Sequence, residues 1–218
     1  MEKTEVSIDK NTQRQIELIN RFVNLGYVAP SFKSISELRE EVVSGESSIY
    51  IDSENEHMLL KEFKVVSTSV EYQNQRLIEI FQLSHLNALK RYRNNGISVR
   101  EKIKRGEQPI DTLTRGLEEE LVGYIDGEEI YISGPFDATF LSKKIIFSNS
   151  HNSPKCNWTG VNSKMHVFEY RVELKEGQYI PNSTHPDDPF YNRLEFAYSE
   201  RKSNKSRTTY FAWVNKAE

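Results

Sequence analysis

The stretch Gly106-Glu107-Gln108-Pro109-Ile110-Asp111-Thr112-Leu113-Thr114-Arg115-Gly116-Leu117-Glu118-Glu119-Glu120-Leu121 decides the fold. A Gly-Glu-x-Pro turn leads into a segment whose apolar and acidic residues separate at helical pitch. At about 100° per residue, Ile110, Leu113, Leu117 and Leu121 fall on one stripe, the side that packs on a core. Glu119 and Glu120 lie off that stripe and share their face with Gly116 and Thr112, whereas Glu118 points almost opposite to Gly116. Pro109 suits the first helical turn, and Asp111 complements the helix dipole there. Two adjacent carboxylates at the edge of a packed helix suit a hard, oxygen-seeking cation such as Mg²⁺, which is itself a handle for phosphates.

Over residues 101–123 the pattern resembles the Nudix box, Gly-x5-Glu-x7-Arg-Glu-apolar-x-Glu-Glu-x-Gly-apolar. Glu107 takes the first Glu, Arg115 the Arg, Leu117 the apolar position, and Glu119-Glu120 the paired acids. The preceding Lys102-Ile103-Lys104-Arg105-Gly106 is similar to the family's loop. Among the positions that depart, Glu101 replaces the opening Gly, Gly116 the Glu after Arg, and Val122 the late Gly.

The resemblance implies an α/β fold, a Nudix-type α/β/α sandwich with a mixed sheet. It also implies a pyrophosphohydrolase, dependent on Mg²⁺ or Mn²⁺, that cleaves a nucleoside diphosphate linked to another moiety. Glu119 and Glu120 would bind the metal. Arg115 would orient the acids and pair with Glu107 across the loop–helix junction. Lys102 or Lys104 would reach a phosphate. In the family the residue at position 116 is usually a Glu that binds metal and sometimes acts as base. Gly116 therefore predicts one of two things. Either a base arrives from elsewhere, with Glu195 and Glu200 eligible by position, or the chain is a catalytically weakened nucleotide-binding or sensor protein.

Composition bounds the alternatives. The 218 residues suit one domain of about 150 plus an extension. Hydrophobic residues make up 37% and charged residues 28%, enough for a core under a well-solvated surface. A net charge of −3 gives no global case for nucleic acid or an anionic membrane. The partner expected is a nucleotide-type small molecule, with a homodimer as the default oligomer. Cys156 is the single cysteine, so no intrachain disulfide can form. His151 and His185 fall in loops and show no ligand spacing. No run approaches the ~20 apolar residues that span a bilayer, and the polar start is unlike a signal peptide. The expectation is a cytoplasmic protein.

Periodicity predicts a helix over 11–25, closed by Gly26, and a second helix to Val43 opened by a Ser34/Glu37 capping box. These form a helical N-terminal extension, 1–57, before a Nudix-like domain at 58–218. Strands are expected at 58–69 and 76–83, joined as a hairpin, then at 129–133, 144–148, 164–174 and 208–214. Residues 149–162 read as a loop, in which Trp158 could stack on a base. The basic run Lys90, Arg91, Arg93, Arg100, Lys102, Lys104 and Arg105 reads mainly as a solvated face, with RNA as a weaker option.

Overall fold

The structure, a computed structural model, describes residues 8–31, 33–84, 90–92, 98–125, 128–149, 157–184, 195–199 and 207–216. Along them run α1 (Lys10–Asn24), β1 (Ala29–Pro30), α2 (Ile35–Val43), β2 (Ser47–Asp52), β3 (Asn55–Tyr72), β4 (Gln75–Ser84), β5 (Lys90–Tyr92) and β6 (Val99–Lys102). Helix α3 (Pro109–Glu120) follows, then β7 (Val122–Ile125), β8 (Glu128–Tyr131), β9 (Asp137–Ser148), β10 (Trp158–Thr159) and β11 (Val161–Glu173). The last strands are β12 (Ser183–Thr184), β13 (Glu195–Phe196), β14 (Tyr198–Ser199) and β15 (Arg207–Asn215). The main sheet has the order β8-β7-β14-β15-β4-β3-β11-β9, with β2 and β6 also on β3, and β5 on β4. The hairpin and its neighbours are antiparallel. β3 and β11 run in the same direction, since Leu59 N–H donates to the Gly160 carbonyl early in both and Leu174 N–H to the Glu71 carbonyl late in both. The protein is thus mixed α/β with a mixed sheet. No helix among the described residues is long and apolar enough to cross a membrane.

The chain divides into two compact units. The first comprises residues 1–65, 102–107 and 143–167. Asp9 caps α1 by accepting the Asn11 and Thr12 N–H groups, and the Ser34/Glu37 capping box on α2 forms as its spacing predicts. The inner face of α1 is Thr12, Gln15, Ile19 and Phe22, and Gln15 Oε1 accepts the Ile49 N–H of β2 at 2.7 Å. Ile19, Phe22, Leu38 and Val42 from the helices pack with Ile49, Leu59, Trp158 and Val161 from the strands. Each such side chain contributes roughly 1.5–3 kcal/mol relative to exposure. This core crosses the expected boundary at 57/58, so the two helices are packed parts of a unit that also needs residues 143–167.

Gly160 holds a tight corner in that unit. Its φ is +76°, in the left-handed region that favours glycine, and an added Cβ would stand 1.9 Å from the Tyr27 carbonyl oxygen. Backbone cannot rotate away as a side chain can. Gly160→Ala is therefore expected to cost about 2–3 kcal/mol, seen as a lower midpoint in urea unfolding. An unchanged midpoint would contradict the close approach.

The second unit comprises residues 66–101, 108–142 and 168–218. Its centre is the β4–β15 ladder, paired from Gln75↔Asn215 to Ser84↔Arg207 with a bulge at Tyr210/Phe211. Phe81, Leu83, Phe196 and Tyr210 form one cluster of its core. Buried Tyr198 donates its hydroxyl to the Gln178 carbonyl at 2.6 Å and accepts the Ile180 N–H at 2.9 Å, and burial pushes its phenol up.

Candidate functional site

Helix α3 begins at Pro109 and buries Thr112, Leu113, Gly116 and Leu117, with Leu121 fully buried just beyond its end. Ile110, expected on the buried stripe, is 45% exposed. The buried arc is turned toward Thr112 and Gly116, which leaves Ile110 at its edge. The reason is the strand beneath. A Cβ added at Gly116 would lie 3.1 Å from Glu101 Cβ and 3.6 Å from a Val99 methyl. Gly116 is thus the point where α3 rests on β6, and any larger residue must displace Glu101.

Glu101 and the acidic end of the helix meet at Arg115. Its Nη1 lies 3.2 Å from Glu101 Oε1 and 3.6 Å from Glu119 Oε2. The three side chains are 21%, 18% and 41% exposed for Arg115, Glu101 and Glu119, so the cluster is partly shielded yet open at Glu119. Glu120 is half-buried at the last helical position. Glu118 turns elsewhere and accepts the Gly134 N–H at 3.2 Å. Sequence reasoning missed Glu101 as a member of this cluster. Its signal was the departure at 101 itself, which the helix periodicity of 106–121 could not connect to 116.

The donor set can be compared with what Mg²⁺ requires. Among the described residues, no three His, Cys, Asp or Glu side chains converge as a ready-made cage. Mg²⁺ is ordinarily held by one or two carboxylates, with waters and substrate phosphate oxygens completing its octahedron. Glu119 and Glu120, adjacent at the half-exposed end of α3, fit that mode.

Glu107, Lys102, Lys104 and Trp158 lie in the first unit. Glu107 closes a turn: its N–H donates to the Lys104 carbonyl and its carboxylate accepts the Lys104 N–H at 3.0 Å. Lys102 does not stand open to solvent. Its ammonium lies 2.7 Å from Glu41 and 3.1 Å from Glu46. Lys33 and Lys61 reach the same Glu41 carboxylate at 2.7 and 2.9 Å. Burial alone would raise the Glu41 carboxyl, but the charges of Lys61 and Lys102 and the hydrogen bonds from Lys102 and Lys33 hold it at about 2. Burial in turn lowers the Lys61 ammonium to about 8, against the pull of Glu41.

Trp158, expected in a loop and open to a base, is only 2% exposed. β10 pairs with β1 and carries the indole into the core, where its N–H donates to the Ser34 carbonyl at 2.8 Å. The Lys61 ammonium lies 4.6 Å from the ring centroid. No base can stack on it there. Lys104 is exposed and lines a cavity of about 330 Å³ together with Tyr50, Glu62, Lys64, Arg105 and Glu107. Lys90, Arg91 and Arg100 are exposed, as a solvated face would be. Arg93, His151, Cys156, His185 and Glu200 lie outside the described residues, as does the side chain of Glu195.

Compared with models of known protein families and with curated proteins, the chain has no match. The α3 end offers carboxylates beside a guanidinium, a set that can bind a divalent cation and order it against phosphate. The first unit offers a cavity lined by Lys64, Lys104 and Arg105 as well as by Glu46, Glu62 and Glu107.

Proposed function

We propose that the chain is a Nudix-type pyrophosphohydrolase with an α/β/α sandwich, acting with Mg²⁺ or Mn²⁺ on a nucleotide that carries a diphosphate linkage. One observation carries the reading: the departures at 101 and 116 are adjacent in space. The Nudix box has Gly at the first and Glu at the second; here Glu101 and Gly116 exchange those types, and their side-chain positions are 3.1 Å apart. The carboxylate missing from the helix is supplied by the strand it rests on. Glu119 and Glu120 would hold the cation, whose charge would offset that of the phosphates. Arg115 holds Glu101 and Glu119 in register, and Glu101 takes the place of the lost helical carboxylate in accepting a proton from water.

The test is product formation from a panel of nucleoside diphosphate conjugates and dinucleotides, beside a Glu119→Gln/Glu120→Gln control. Turnover in the wild type, lost by a factor of ~10² or more in the control, supports the hydrolase. No turnover by a folded wild-type chain on the whole panel would sink it. The nucleotide-binding sensor would then remain, a reading favoured by the way Arg115 engages both Glu101 and Glu119.

A further inference from the structure

The cavity in the first unit has an uneven charge balance. Two of its carboxylates are met by cationic groups, Glu46 by Lys102 and Glu62 by Lys164 and His166, while Glu107 accepts the Lys104 backbone N–H. The Lys64 and Lys104 ammonium groups stand exposed on its wall and form no ion pair among the described residues. The Ile103 N–H donates to the Lys64 carbonyl at 3.0 Å, which fixes the two lysine-bearing segments side by side. Behind the wall, the Lys33, Lys61 and Lys102 ammonium groups surround the Glu41 carboxylate, and Lys102 also reaches Glu46. Charge placed there is poorly screened, so the cavity is a positive spot on a chain of net charge −3. Tyr50 gives it an aromatic wall that is 49% exposed.

We propose that this cavity binds a mononucleotide, with its phosphate between the Lys64 and Lys104 ammonium groups and its base against the Tyr50 ring. Its volume of about 330 Å³ is at the small end of ligand sites, which suits one nucleotide and not two. Binding here requires neither a divalent cation nor hydrolysis. The inference shares with the proposed function only the kind of ligand.

The experiment is isothermal titration of the full chain in EDTA with adenosine 5′-monophosphate, inorganic phosphate and adenosine. The nucleotide should bind, and at least tenfold more tightly than either fragment. Lys64→Gln/Lys104→Gln should weaken it at least tenfold with an unchanged Tm, because both side chains are exposed. Tyr50→Ala should weaken the nucleotide and leave phosphate unaltered. Glu119→Gln/Glu120→Gln should bind like the wild type, so that failure of the hydrolase and failure of this site are read separately. No binding of the nucleotide, an unmoved Kd in the double lysine variant, or equal affinity for inorganic phosphate would each overturn the proposal.

Discussion

Glu41→Gln should lower the stability of the protein by about 3–5 kcal/mol, the cost of leaving buried charge without its partner. For a chain of this size that is a fall in Tm on the order of 10 °C. The Glu41 side chain is 7% exposed and holds together Lys33, Lys61 and Lys102. Removing its charge leaves three cations facing one another in a poorly hydrated place. Adding Lys61→Met should recover part of the loss, because the most buried cation then goes with the anion. The pH dependence has a definite sign. Glu41 titrates at about 2 in the folded protein against 4.5 ordinarily, so its contribution is full above pH 4.5 and is lost as pH falls through 2. The wild type should lose about 3 kcal/mol across that window, and Glu41→Gln should lose correspondingly less. Urea unfolding at pH 7, 4 and 2.5 reads both. Equal stability of the two proteins at pH 7 would mean that the network contributes nothing.

The second large effect concerns positions 101 and 116. Glu101→Gln should reduce turnover by a factor of ~10² or more while leaving the fold intact, since the amide fills the same space. Gly116→Glu alone should not rescue activity. Its Cβ would crowd Glu101 Cβ at 3.1 Å, at a cost of about 1–3 kcal/mol, and push the existing carboxylate off Arg115. Combining Gly116→Glu with Glu101→Gly restores both the space and the carboxylate, so the double variant should be more stable and more active than Gly116→Glu. Additive losses would dismiss the exchange as coincidence.

The features legible in the sequence were those that a short window encodes. The Ser34/Glu37 capping box and the hairpin turn near 73 involve residues two to five apart, and both form. On α3, Leu113, Leu117 and Leu121 are buried as read, but Ile110 is exposed, and Thr112 and Gly116, read onto the acidic face, are buried. What escaped depends on partners distant in sequence. Glu101 reaches the helix only because β6 lies under Gly116. Lys102 looked like a loop lysine because Glu41, its partner, is some sixty positions earlier. Trp158 sits among polar loop residues, and only its pairing with β1 at Pro30 takes it inside. β9 was read from 144 and starts at Asp137, because its residues are exposed along nearly its whole length and so show no alternation.

The makeup of the first unit also bears on how the chain folds as it is made. Its first 65 residues contain both N-terminal helices, yet Trp158 and Val161, which close their core, belong to the segment 143–167. On a ribosome adding ~5–20 residues per second, roughly five to twenty seconds separate the two. During that interval Ile19, Phe22, Leu38 and Leu59 lack their covering partners. The nascent chain therefore presents an apolar surface at the stage when a chaperone can bind it, and pauses in translation before residue 143 should prolong that exposure.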